Sequence, residues 1–186
     1  MDSVFDELYH KYHHDVFQFL FYMVRNKEHA EDLVQEVYIR VYKSYHRFKG
    51  ESSEKTWLFS IARNVAIDFF RKQKSSKEKL LDQFEGQANQ LKNGHLIPEE
   101  IAVQKDEIKL IYKCLEYCTL DQRTVIILRY IHDLSISETA KALGWSESKV
   151  KTTQHRSLKM LKKQMELFSE KEGVICEKVR VERSRA

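Results

Sequence analysis

Residues 138–150 read Glu138-Thr139-Ala140-Lys141-Ala142-Leu143-Gly144-Trp145-Ser146-Glu147-Ser148-Lys149-Val150. Two helices that cross closely need a small residue at the crossing, a glycine at the tight turn and an aliphatic anchor in the second helix. Ala140, Gly144 and Val150 supply these in order. Ser146 follows the turn and can cap the second helix through its hydroxyl. The helix beginning at Glu147 is expected to bury Val150, Leu158 and Leu161. Its other faces carry Lys149, Lys151, Arg156, Lys159, Lys162 and Lys163. A basic face alone is an ordinary solvated surface. Joined to the Ala–Gly–Val frame and the cap, it reads as the recognition helix of a helix-turn-helix, apolar inside, with cations and polar groups outside for phosphates and base edges. Lys151, Thr152, His155 and Arg156 then face the groove beside Lys149, and Lys159 with the later lysines lies nearer the DNA backbone.

Helical periodicity extends on both sides of this motif. Upstream, helix candidates cover 101–117, 121–132 and 135–143, the last opened by the capping-box sequence Ser135-Ile136-Ser137-Glu138. The long recognition helix covers 147–167. At the other end of the chain, Phe5, Leu8, Tyr12, Val16, Phe19, Leu20 and Met23 recur at helical spacing. A second stripe joins Ala30, Leu33, Val34, Val37, Val41 and Tyr45, and a third joins Leu58, Ile61, Ala62, Val65 and Phe69. The segment Phe48-Lys49-Gly50-Glu51-Ser52-Ser53 interrupts the period and reads as a loop. Three such helices bury their stripes only against one another. The expected fold is therefore all-α, with two small helical domains at 1–72 and 101–168. A flexible linker is expected at 73–100, where the composition turns polar, and a charged, non-periodic tail at 169–186.

Composition excludes several classes. The 186 residues include one proline and five glycines, too few for a turn-rich β architecture. Lys and Arg number 32 against 28 Asp and Glu, a balance that permits an anionic partner without demanding one. No apolar run approaches a membrane span, and the acidic start Met1-Asp2-Ser3 lacks a signal-peptide layout. A cytoplasmic location without direct membrane insertion is expected. Cys114 and Cys118 stand four apart on a helix face, where packing rather than metal ligation is expected; with Cys176 they form no disulfide framework. His10, His13 and His14 read as surface histidines. No nucleophile motif, phosphate-binding glycine loop or paired catalytic carboxylates occur, so catalytic residues, cofactors and metals are all expected to be absent.

Two further stretches stand out. One is Glu31-Asp32-Leu33-Val34-Gln35-Glu36-Val37-Tyr38-Ile39-Arg40. The other is Arg47-Phe48-Lys49-Gly50, followed by Lys55-Thr56-Trp57-Leu58-Phe59-Ser60-Ile61-Ala62-Arg63-Asn64. Placed in this order before the helix-turn-helix, they resemble the bacterial extracytoplasmic-function (group IV) sigma factors, in detail most like the sigma-X type of bacilli. The resemblance implies a factor that binds core RNA polymerase and directs transcription from promoters with −10 and −35 elements.

Its residue assignments follow position by position. Asp32, Gln35 and Glu36 match the face that docks on the polymerase clamp helices, with Tyr38 and Tyr42 extending that face or packing beneath it. Phe48 and Asn64 match the pocket that holds a flipped −10 base, with Lys49, Lys55, Arg63, Arg71 and Lys72 supplying charge for the melted strand. Trp57 reads as a core residue whose indole edge lies near the DNA. Lys149, Lys151, Thr152, His155, Arg156 and Lys159 match the −35-reading helix. An arginine is common where Lys151 stands, and lysine lacks the planar fork that reads guanine bidentately, so phosphate contact or looser readout is expected there. Trp145 stands where a smaller apolar residue is common. The partners implied are core polymerase through clamp and flap, promoter DNA, and an anti-sigma factor that hides these faces. Read from the residues alone, a stand-alone helix-turn-helix regulator and a helical adaptor without a DNA role are the rivals.

Overall fold

The structure is a computed structural model that describes residues 2–83 and 106–183, with side chains over 5–75 and 109–168. Among these residues there is no strand. Residues 84–100 of the expected linker, 101–105 of the first helix of the second block, and 184–186 of the tail lie outside it, as does the Cys176 side chain.

The first three helices are α1 (Asp2–Val24), α2 (Lys27–Ser44) and α3 (Glu54–Gln83). Asn26 starts α2, its side chain accepting the His29 N–H at 2.8 Å. A 3₁₀ turn at Tyr45–Arg47 and a loop with Gly50 at φ +72° lead to α3. Each expected stripe turns inward: Val16, Phe19, Leu20 and Met23 of α1 meet Ala30, Val37 and Val41 of α2 and Leu58, Ala62 and Val65 of α3, all buried. An ion-pair network adds to this packing. Arg40 of α2 bonds Glu36 and reaches Asp68 of α3 at 3.0 Å, and Asp68 also takes Arg71 at 2.9 Å.

The second block comprises α4 (Asp106–Leu115), α5 (Leu120–Ile126), a π-helical turn (Ile127–Ile131), α6 (Ile136–Leu143) and α7 (Glu147–Arg183). Thr119 with Gln122 and Ser135 with Glu138 each close a capping box at the start of α5 and α6. The expected helix over 121–132 is thus split. Its last turn widens, and the His132 N–H donates to Ile127 O five residues back.

Two boundaries differ from expectation. Helix α3 runs past Lys72 to Gln83, inside the segment read as linker, because nothing in Gln73–Glu78 is a helix breaker. Helix α7 continues through the expected tail to Arg183: no proline interrupts it, and the helix carries Gly173 in its interior. The two blocks also share one continuous core: α6 lies on α3, and α5 with its π turn touches the end of α1.

Candidate nucleic-acid and polymerase interfaces

Gly144 adopts the left-handed conformation at φ 64°, ψ 35° and ends α6. Its N–H donates to Lys141 O at 3.3 Å, and the Trp145 N–H donates to Ala140 O at 2.9 Å, the paired bonds of a Schellman turn. Ser146 Oγ then accepts the Lys149 N–H at 3.2 Å, so α7 starts where the sequence places it. Val150, Ser157 and Leu161 are buried on its inner side, and Ser157 Oγ donates back to Thr153 O at 2.7 Å. Arg129 braces the motif by bonding Leu134 O and donating through Nε to Gln154 Oε1 at 3.1 Å.

On the outer side Lys149, Lys151, Thr152, His155, Arg156 and Lys159 are all exposed. Lys151 lies 3.9 Å from the Glu147 carboxylate, an exposed and weak pair. Lys149 Nζ sits 3.7 Å from the centroid of the Trp145 ring. Leu158 corrects the expected inner stripe, since it is 41% exposed. It borders an apolar groove of about 720 Å³ with Ile126, Tyr130, Ile131, Leu161 and Met165. One residue C-terminal to the buried Ser157, it is carried round to the outer edge of the helix.

In the first domain Phe48 is half-buried, its ring 5.0 Å from Trp57, and Tyr45 meets the same indole edge-on at 6.0 Å. Trp57 thus packs half-buried against the core, with its indole at the centre of an aromatic wall. Asn64 lies two turns along α3 from Trp57 on the same face, exposed, and its Oδ1 accepts from Arg63 Nη1 at 3.2 Å. Lys49, Arg71 and Lys72 are exposed around this face. Lys55 stands apart: its ammonium pairs with Asp15 of α1 at 3.1 Å and lies 5.9 Å from the Phe59 ring.

On α2, Asp32 and Gln35 are exposed, while Glu36 is engaged by Arg40 in the network described above. Tyr38 is 5% exposed and packs against Phe5, Tyr9 and His13, so it supports the face from below; burial drives its phenol pKa well above the usual range. Ile39 and Tyr42 are more than half exposed beside it. His13 is half-buried against Tyr9 at 4.5 Å, unlike the exposed His10 and His14. Cys114 and Cys118 are buried and reduced, with burial pushing the Cys114 thiol up to about 11.

Sequence reasoning missed the seam between the domains. Arg123 Nη1 donates to Met23 O at 2.6 Å while its Nε donates to Leu115 O at 3.0 Å. Arg25, itself in a left-handed conformation at φ 60°, pairs with Glu116 at 2.9 Å and covers the Tyr112 ring at 4.7 Å. His132 is buried with its ring 4.6 Å from Phe59 and 6.3 Å from Phe19. Lys141 of α6 reaches Glu51 O of the loop before α3 at 3.3 Å. A positive φ at a non-glycine residue is the kind of signal that marks such a junction, but it is invisible in sequence.

A helix-turn-helix with an exposed cationic face is thus joined to a helical domain that carries an aromatic wall and an acidic face. The Sigma-70 region 2 family matches residues 8–76 and the Sigma-70 region 4 family matches residues 108–161. The chain is 56% identical over 183 residues to the ECF RNA polymerase sigma factor SigX of Bacillus subtilis strain 168, covering 98% of this chain and 93% of that one. It is 30% identical to the RNA polymerase sigma factor YlaC of the same strain, over 93% of this chain and 98% of that one. The fold resembles that of the sigma factor RpoE of Bartonella quintana in a complex with the anti-sigma factor NepR, with TM-score 0.70 and 21% identity over 88% of this chain and 98% of that one. The chain belongs to the extracytoplasmic-function RNA polymerase sigma factors.

Proposed function

We propose that the two domains divide promoter recognition. Residues 1–72 grip core polymerase and hold the melted −10 strand, and residues 101–168 read the −35 element as duplex. Asp32 and Gln35 meet the clamp helices directly, with Tyr42 and Ile39 extending the contact. Glu36 contributes through its bond to Arg40, which fixes the α2 surface against α3. Phe48, on its Trp57 backing, takes a flipped base whose edge Asn64 reads; Lys49, Arg63, Arg71 and Lys72 hold the strand. Lys55, committed to Asp15, contributes once that pair opens. Lys151, Thr152, His155 and Arg156 enter the major groove, with Lys149 and Lys159 on phosphates. The protein acts in the cytoplasm with the polymerase. An anti-sigma factor covering these faces is its regulator, a reading supported by the similar fold of a sigma factor held in such a complex.

The observation that carries this reading is the outer side of α7, where all the candidate duplex contacts are exposed together while Val150, Ser157 and Leu161 anchor the opposite side. Run-off transcription with purified core polymerase and a genomic promoter pool tests it. Discrete starts should appear only with the protein. Replacing Lys151 and Arg156 together by alanine should reduce them at least tenfold with core binding intact, since a good base contact from Arg156 contributes roughly 1–3 kcal/mol and the Lys151 charge adds to it. Asp32→Lys should instead abolish core binding. Unchanged starts in the α7 double variant would overturn the assignment.

A further inference from the structure

We propose that Trp145 is a positioning residue for duplex binding, its indole face holding the Lys149 ammonium where it meets a backbone phosphate of the −35 duplex. The inference rests on the reading of α7 as the −35 contact and assigns a role to a residue that reading leaves without one.

Lys149 Nζ lies 3.7 Å from the Trp145 ring centroid, well inside the roughly 6 Å reach of a cation–π contact. Lys149 is also an odd residue for its position. It is the third residue of α7, in the first turn, where the helix dipole disfavours a cation. The other capped helices of this domain place Gln122 and Glu138 at the same position, and both close a reciprocal capping box. In α7 Ser146 makes its half of the box with the Lys149 N–H, but lysine, a pure donor, cannot return the bond. The helix start therefore forgoes a stabilising contact, and the displaced side chain is seated on the indole instead.

The platform is fixed. Trp145 is half-buried against the domain core, and its backbone N–H is pinned to Ala140 O through the left-handed Gly144. A lysine in solution samples many rotamers; one seated on a rigid ring has already given up part of that freedom, so less is lost on binding. Lys149 remains exposed, leaving ammonium donors turned to solvent. An ammonium so placed suits a phosphate oxygen, a contact that adds sequence-independent, salt-sensitive affinity and fixes register. A larger side chain at 145 than a turn requires is then explained by its lysine partner.

The test is binding of holoenzyme, wild type and variant, to a labelled duplex carrying a promoter recovered in the run-off assay, over a salt series. Trp145→Leu keeps an apolar side chain but removes the aromatic face, and should weaken binding about two- to fivefold. Trp145→Phe keeps a ring and should lose less. Lys149→Ala should lower the salt slope by about one, and Trp145→Leu should then add nothing in the Lys149→Ala background. Equal losses from Trp145→Leu with and without Lys149, or equal losses from the Leu and Phe variants, would overturn the proposal while leaving the −35 reading standing. If Lys149→Ala changes neither affinity nor slope, Lys149 is no duplex contact and both fall at this residue. Should the Leu variant fail to fold by thermal melting, the same cycle with Trp145→Phe decides: its loss must vanish in the Lys149→Ala background.

Discussion

At the scale of single residues, His132 shows how a side chain from one domain becomes part of another's core. Its ring is buried beside Phe19 and Phe59, and Nε2 has no hydrogen-bond partner among the described residues. Desolvation lowers its pKa from 6.5 to about 4; Lys55 and His14 push the same way, and Asp15 and Asp133 oppose them. Between those two values the unfolded chain takes up a proton that the folded chain refuses. Stability therefore falls as pH drops through this window, by about 2 kcal/mol between pH 7.5 and pH 5. Urea unfolding at pH 7.5 and pH 5 should show this loss in the wild type and a smaller one in His132→Leu. Equal losses in both proteins would mean the ring is not held neutral. In sequence His132 is one of eight histidines, and nothing local distinguishes it. Glu36 teaches the same lesson, because its Arg40–Asp68 partners come from another turn and another helix.

At the scale of elements, the helix-turn-helix was legible because its determinants are local. Ala140, Gly144, Ser146 and Val150 act within one turn of themselves, and the structure places each as its chemistry requires. Gly144 carries a direct prediction. A Cβ there would meet nothing within 4 Å, so the cost of Gly144→Ala is the left-handed backbone alone. That cost is about 1 kcal/mol, readable as a lower urea midpoint at unchanged slope. Breaking the capping box with Ser135→Ala should cost about 1 kcal/mol as well, by the same measurement. Either variant at wild-type stability would contradict the geometry of the turn. The π turn at Ile127–Ile131 and the outward Leu158 were not legible. Their apolar residues fit a regular helical stripe, and only the packing of neighbours selects the wider turn.

At the scale of the whole molecule, the two domains are closed on each other. The free cationic face of α7 and the acidic face of α2 stay open, while Lys55 and the loop before α3 lie near the seam. Arg123 is the bolt: its half-buried guanidinium bonds carbonyls of both domains, Met23 and Leu115. Arg123→Ala leaves those carbonyls without this donor, a cost of roughly 1–3 kcal/mol. It should loosen the pair of domains, seen as a larger radius of gyration by small-angle scattering with helicity unchanged. An unchanged scattering profile would show that the apolar seam holds without it.

The amino-acid sequence by itself determined what depends on neighbours along the chain: the helices, their caps, the Gly144 turn, the basic face of α7 and the three-helix grouping of the first domain. Those signals act through backbone conformation and a 3.6-residue period, so a few residues suffice to carry them. Tertiary structure alone decided how the domains meet. It set Arg123 on the Met23 carbonyl, His132 beside Phe59, and Lys55 on Asp15 rather than beside Phe48. Those contacts join residues far apart in sequence, and their energy comes from desolvation and close packing that exist only once both surfaces are formed.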